Sequence, residues 1–287
     1  MNKTNFKKQL ILGSANFTQK YGADSVKINI SEIKKILNLA RSNKINKIDT
    51  AENYLNDSIF FKYLRKRFKL VTKIKPDYKW TSLSFCEEEL KKQIKIFKKN
   101  KIKILLFHDV EVLFDKIGPK IFNNLEKLKD KGYFKKIGIS IYDTDCLKYL
   151  ISKYNIDVVQ CPFNILDKRI VYSGWLKKLK NKGIEVHVRS VFLQGLLVNK
   201  MIYKKNYFKK WRTKILKWFN HLQKNGISPI NYCLNDLLNY DFDQIIIGVN
   251  NSDNLREILN FKLLSDKKKF INFTSKDLRL IDPRCWK

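Results

Sequence analysis

The sequence predicts an α/β fold, a single (β/α)8 TIM barrel spanning residues 1–287, on three observations. Eight short apolar runs alternate with segments of helical period along the 287 residues. Strict alternation of this kind implies a parallel sheet, and eight units are the number that closes one into a barrel. The length suits one barrel of roughly 250 residues with a large core. The turn after the first run, Gly13-Ser14-Ala15-Asn16, lacks the G-x-G-x-x-G fingerprint of an open, doubly wound sheet, the chief competitor.

In chain order, residues 9–12 (QLIL) read as a strand. Residues 30–40 have helical period, with Ser31 as the expected N-cap, and a short strand then closes on Asp49. A basic helix over residues 59–68 leads into the strand LVTK, which ends at Lys73. An amphipathic helix over residues 84–100 carries Glu87, Glu88 and Glu89 in its first turn, where the helix dipole favours acids. It leads into ILLFH, ending at His108. Helices are expected over 121–130, 144–153 and 171–181, the last closed near Gly183. The strands between and after them are 136–140, 157–161 (stopped by Pro162) and 184–188. Residues 193–207 read as a loop, followed by helices on either side of the Gly-Ile-Ser-Pro at 226–229. The last strand is 244–248, and helices follow over 252–259 and 274–281. No internal repeat, linker or low-complexity segment interrupts the series.

Lys and Arg outnumber Asp and Glu 59 to 27, for a formal charge of +32. The excess is mostly lysine and is spread over helix-like segments such as residues 89–101. With no compact Arg-rich block and no basic tail, it reads as a compositional bias, and no nucleic-acid partner is expected. Such a field still attracts anionic ligands, a phosphorylated cofactor included. Cys86, Cys146, Cys161, Cys233 and Cys285 are odd in number and contain no C-x-x-C, against a disulfide framework or a metal site. They fit a reducing cytoplasm. Residues 1–8 lack the apolar stretch of a signal peptide. No apolar run approaches the length of a membrane span, so no membrane partner is expected.

Chemistry concentrates around residues 47–54 (KIDTAENY). Three consecutive strand signals end in ionisable residues, Asp49, Lys73 and His108, and Tyr54 follows Asp49 by five positions in a polar loop. In a parallel barrel those ends lie on one rim, the rim on which the active sites of such folds are built.

The blocks LGSANF (12–17), IDTAENY (48–54), VTK (71–73), LLFHD (105–109), IGIS (137–140), QCPFN (160–164), RSVFLQGLL (189–197) and IIGV (246–249) come in order at suitable spacing. Together they resemble the aldo/keto reductase family over nearly the whole chain. The resemblance implies a β/α barrel that reduces aldehydes, ketones or sugars with NADPH, NADH being possible, held along the rim without a Rossmann domain. The family's catalytic tetrad falls on Asp49, Tyr54, Lys73 and His108. Tyr54 is then the proton donor, and a phenol with a pKa near 10 needs a neighbouring cation to donate well near neutrality. Lys73 supplies that cation, Asp49 balances it, and His108 orients the carbonyl oxygen.

For the cofactor, the resemblance implies Ser140, Gln160 and Asn164 at the carboxamide. It puts Arg189 where many relatives carry an aromatic that stacks on the nicotinamide. The loop from Ser190 through Leu193 to Gly195 would follow the pyrophosphate, and Gly248, Val249 and Asn250 would meet the adenosine end, where helix N-termini favour phosphate. Phe17, Tyr21, Trp80 and Phe163 are candidates for an aromatic substrate wall.

The pattern has departures. Leu55 stands where relatives usually carry glycine, Asp57-Ser58 replaces a Ser-Glu pair, and Thr18 falls near another expected glycine. No arginine lies within residues 250–254 to clasp a 2′-phosphate, Arg256 being the nearest. Glu257 matches an acidic position, but Ile258 replaces a common asparagine. These departures, with the charge, define a second reading: a non-catalytic cofactor-sensing or basic binding protein on the same barrel.

Overall fold

A computed structural model describes residues 3–18, 22–23, 28–51, 68–97, 102–264 and 270–286. Its frame is a closed barrel of eight parallel strands in sequence order. They are β1 (Leu10–Gly13), β2 (Lys47–Asp49), β3 (Lys69–Ile74), β4 (Ile102–Phe107), β5 (Lys136–Ser140), β6 (Val158–Pro162), β7 (Glu185–Arg189) and β8 (Gln244–Ile247). β8 pairs back onto β1, Ile11 lying opposite Ile246.

Alternation along each strand divides the side chains between two cores. Leu10, Leu12, Leu105 and Phe107 belong to the large core under the surrounding helices. Ile11, Val71, Ile104, Leu106, Val158 and Ile246 form a separate small cluster, which fills the barrel axis. Gly138 sits in this layer because nothing larger fits: a Cβ there would meet the Val158 carbonyl and, at 2.8 Å, Leu106 Cδ2. At the N-terminal ends of the strands the interior turns polar. Lys47 Nζ donates to Gln244 Oε1 at 2.9 Å, Lys136 pairs with Glu185 at 2.5 Å, and His187 contacts Glu185 at 3.2 Å. His187 beside Glu185 is the main cause that lowers that carboxyl to about 2.

Several expected boundaries move, each for a local reason. The helix Ile30–Ser42 is capped by Asn29, whose side chain accepts from Glu32 N–H, and Ser31 already lies inside it. The helix Leu83–Phe97 begins early enough to put Glu87 in its second turn. There Glu87 pairs with Lys91 and Lys131 across to the next helix, each at 2.9 Å. The helix expected over 171–181 is two pieces, Arg169–Tyr172 and Trp175–Asn181, parted by Gly174 at φ 74°. Pro162 closes β6 from within, as the last residue of the strand. Residues 193–211 hold three short 3-10 segments, Leu193–Gly195, Lys200–Lys204 and Asn206–Trp211. The helix expected over 144–153 is Leu147–Lys153, and the terminal one is only Leu278–Ile281. A further helix, Lys3–Gln9, precedes β1. The basic helix expected before β3 lies outside the described residues except for Phe68. Among the described residues no helix is long and apolar enough to cross a membrane, and no cluster of His, Cys, Asp and Glu is suited to a metal.

Candidate active site

A cavity of about 420 Å³ opens at the C-terminal ends of the strands, within the range of small-molecule and cofactor pockets. Asp49, Lys73, His108, Ser140 and Arg189 line it at the ends of β2, β3, β4, β5 and β7. The loop after β7 and the segment after β8, including Gly248, Asn250, Asn254 and Glu257, continue the wall.

Asp49 is fixed from three sides. Its backbone carbonyl accepts from Ser14 N–H and Ser14 Oγ, both at 3.0 Å. Its Oδ1 accepts from Lys73 Nζ at 2.6 Å and its Oδ2 from Gln160 Nε2 at 2.8 Å. Lys73 also donates to the Thr50 carbonyl at 3.3 Å. Both members of the pair are buried, Lys73 at 4% and Asp49 at 7% exposure. Burial pulls the Lys73 pKa below its ordinary value, against the opposing pull of Asp49.

His108 lies one residue beyond β4, and its N–H still donates to the Ile74 carbonyl at 2.7 Å. The half-buried imidazole is pushed down to about 4, first by burial, then by the charges of Lys73 and Arg189. It is therefore neutral near pH 7, with one N–H to donate.

The other expected residues divide. Ser140 is buried and lines the cavity. Gln160 is fully buried and donates to Asp49 from below the lining, its Oε1 lacking a partner among the described residues. Asn164 is spent on its own loop: it accepts from Leu166 N–H and Asp167 N–H and donates to the Ser190 carbonyl. Arg189, Ser190, Gly195, Gly248 and Asn250 line the cavity, whereas Leu193 and Val249 are buried behind it. Ser190, Leu193 and Gln194 all have left-handed backbone, at φ 60°, 45° and 50°. Three such non-glycine residues in one short loop store strain of the kind that collects at ligand sites. A Cβ on Gly248 would meet nothing within 4 Å, so a side chain there would fill open groove.

At the helix Ser252–Leu259 two leading donors are already engaged: Ser252 N–H by Glu32 at 2.6 Å and Asn254 N–H by Asn251 at 2.8 Å. Arg256 pairs with Asp253 at 2.5 Å. Phe17, Trp80 and Phe163 are buried and none lines the cavity; the aromatics that line it among the described residues are Tyr142 and Phe192. Tyr54, Leu55, Asp57, Ser58 and Tyr21 lie outside the described residues.

Sequence reasoning gave no role to Asn16 or Tyr142. Asn16 is 5% exposed and donates to the Val249 carbonyl and to Asn250 Oδ1, tying the β1 loop to the β8 loop. A polar residue within three positions of a strand end on the functional rim was the available signal.

The family model described as the aldo/keto reductase family matches residues 9–276. No curated protein sequence matches the chain. Among solved structures, an aldo-keto reductase of Bacillus halodurans in holo form is 18% identical, with a TM-score of 0.70, covering 94% of this chain and 95% of its own. A glycerol dehydrogenase of Gluconobacter oxydans is 17% identical, with a TM-score of 0.66 and coverage of 91% and 89%. An aldo-keto reductase of the silkworm Bombyx mori complexed with NADPH is 17% identical, with a TM-score of 0.62 and coverage of 91% and 81%. At these identities the likeness is one of fold, and the family model carries the assignment. The chain belongs to the aldo/keto reductase family, oxidoreductases that use NADP(H).

Proposed function

We propose that the chain reduces a small-molecule carbonyl, an aldehyde, ketone or sugar, with NADPH as donor, NADH being the alternative, and that Tyr54 delivers the proton. The observation that carries this reading is the buried Lys73–Asp49 pair, 2.6 Å apart, at a cavity that His108 also lines. An ion pair this buried is expensive to desolvate and gives weak stability in return. Its use is to hold a cation beside a group that must shed a proton.

Ser140, Gln160 and the strained loop after β7 would hold the cofactor, with the segment from Gly248 to Asn250 at its far end. Gln160 Oε1, buried without a partner among the described residues, suits a carboxamide N–H. Bound NADPH supplies the hydride.

The chain supplies position and field. Lys73 favours the phenolate of Tyr54 and so makes the phenol a better acid when negative charge builds on the carbonyl oxygen. Asp49 keeps the ammonium charged against the desolvation that would strip it. Gln160 occupies the second carboxylate oxygen, so Asp49 stays turned toward Lys73. The neutral His108 donates its N–H to the carbonyl oxygen and sets its approach, without a charge that would compete with Tyr54. The reading is tested by loss of NADPH absorbance with a panel of aldehydes, ketones and sugars. A protein that binds NADPH yet oxidises it with no carbonyl would refute it and favour a cofactor-sensing role.

A further inference from the structure

Two charged side chains line the cavity without an ion pair among the described residues: exposed Glu257 after β8, and half-buried Arg189 at the end of β7. Arg189 is the unusual one, because much of its structure is devoted to holding it still. It reaches from β7 past β6 to the end of β5, where Nη2 donates to the Ile141 carbonyl at 3.1 Å. Nη1 is 3.4 Å from Ser190 Oγ. Its guanidinium carbon lies 4.0 Å from the centroid of the Tyr142 ring. The guanidinium carbon of Arg284 lies 3.6 Å from the same centroid. Two such groups this near one ring must take its opposite faces, so Tyr142 is sandwiched between them. Arg284 is anchored in turn on Asp282, with Nη2 to Oδ2 at 2.6 Å.

The bracing fixes Arg189 without neutralising it. Its supports are a carbonyl, a hydroxyl and a π face, and among the described residues two of its five N–H donors are engaged. A planar, fixed guanidinium with donors to spare is matched to a carboxylate or a phosphate, which it can grip with two parallel hydrogen bonds. The position is also telling. The side chain is turned toward β5 and its charge acts on His108 and Lys73. It therefore faces the reacting end, while the strained loop of residues 190–195 runs on from the same strand. The other cation there, Lys73, is already balanced by Asp49. At the reacting end, the unbalanced charge among the described residues is that of Arg189, Glu257 lying after β8.

We propose that the substrate is a carbonyl compound bearing an oxyanion, carboxylate or phosphate, and that Arg189, braced through Tyr142 by Arg284, recognises that anion. The proposal rests on the carbonyl-reductase reading above and narrows its substrate class.

The test compares matched pairs in NADPH-dependent turnover: 4-oxobutanoate against butanal for the carboxylate, and glyceraldehyde 3-phosphate against glyceraldehyde for the phosphate. One charge-assisted contact at a partly shielded site corresponds to a preference of about tenfold to a hundredfold in kcat/KM. The charged member of at least one pair is expected to win by that margin, and the pair in which it wins identifies the anion. In Arg189→Met the ratio within that pair falls toward one, the neutral member serving as reference. Arg189→Lys, which keeps the charge but loses the fork, gives an intermediate ratio and guards against a folding defect in the first variant. NADPH affinity, read from fluorescence quenching, is followed in parallel. Parity within both pairs, with the neutral members turned over, would overturn the anion proposal and leave the reductase reading standing. An Arg189→Met variant that loses NADPH affinity and slows both members of a pair equally would also overturn it, assigning Arg189 to the cofactor. No turnover of any carbonyl would overturn the reductase reading, and the substrate class with it.

Discussion

Replacing Asp49 with Asn probes the centre of the site directly. The substitution is nearly isosteric, so the cost is electrostatic. In the native chain Lys73 is 4% exposed, with Asp49 Oδ1 2.6 Å from its ammonium and the Thr50 carbonyl as the further acceptor among the described residues. Asparagine offers one acceptor oxygen where Asp49 serves two donors, Lys73 Nζ and Gln160 Nε2. One donor must go unpaired, and the lysine loses its counter-charge. Breaking a buried pair from one side costs roughly 3–5 kcal/mol. For a chain of this size that corresponds to a fall in Tm on the order of 10 °C.

The loss depends on pH, and the direction follows from Lys73. Burial already holds its folded pKa below the ordinary 10.5. Without Asp49 it drops further, so the unfolded chain binds a proton the folded variant refuses over a wider range. Stability of the variant therefore climbs more steeply than that of the native protein as pH rises toward 10.5. The gap between them is widest where Lys73 is protonated in both folded forms and narrows as pH rises toward 10.5. Urea unfolding followed by tryptophan fluorescence at pH 6, 7.5 and 9 measures it. A gap below about 1 kcal/mol at pH 6, the scale of an ordinary surface pair, or one that does not narrow with pH, would refute this account of the pair.

Tyr54→Phe is expected to abolish carbonyl turnover while leaving NADPH binding intact; loss of binding would mark Tyr54 as a packing residue. His108 should titrate near pH 4 by imidazole NMR, and a midpoint near 6.5 would show that burial and the two neighbouring cations do not act on it. Its depressed pKa also removes stability as pH falls from 6.5 toward 4, because the unfolded chain takes up that proton first. Gly138→Ala should destabilise by at least the 1–3 kcal/mol typical of overpacking, since the obstruction is the Val158 backbone carbonyl, which cannot turn aside. A chemical denaturation midpoint equal to that of the native chain would contradict the filled barrel axis.

The strands were legible because parallel barrel strands are buried on both faces and read as unbroken apolar runs. ILLF and VVQCP fall almost where the runs put them. Asp49, Lys73 and His108 were legible because they interrupt such runs at their ends. The ends of helices were less so: Asn29 and Ser31 are both good caps, and only backbone geometry chose Asn29. Residues 193–207 read as a loop, and the first of the 3-10 segments there contains left-handed Leu193 and Gln194, which composition does not announce. Contacts across the rim were out of reach. Gln160 meets Asp49 over 111 positions, and the Tyr142 sandwich joins three parts of the chain. Nothing local in the sequence encodes those meetings; closure of the sheet does.

The plug of Ile11, Val71, Ile104, Leu106, Val158 and Ile246 fills the barrel axis. Among the described residues these six aliphatic side chains floor the cavity, so water and reactants approach Lys73 from the rim.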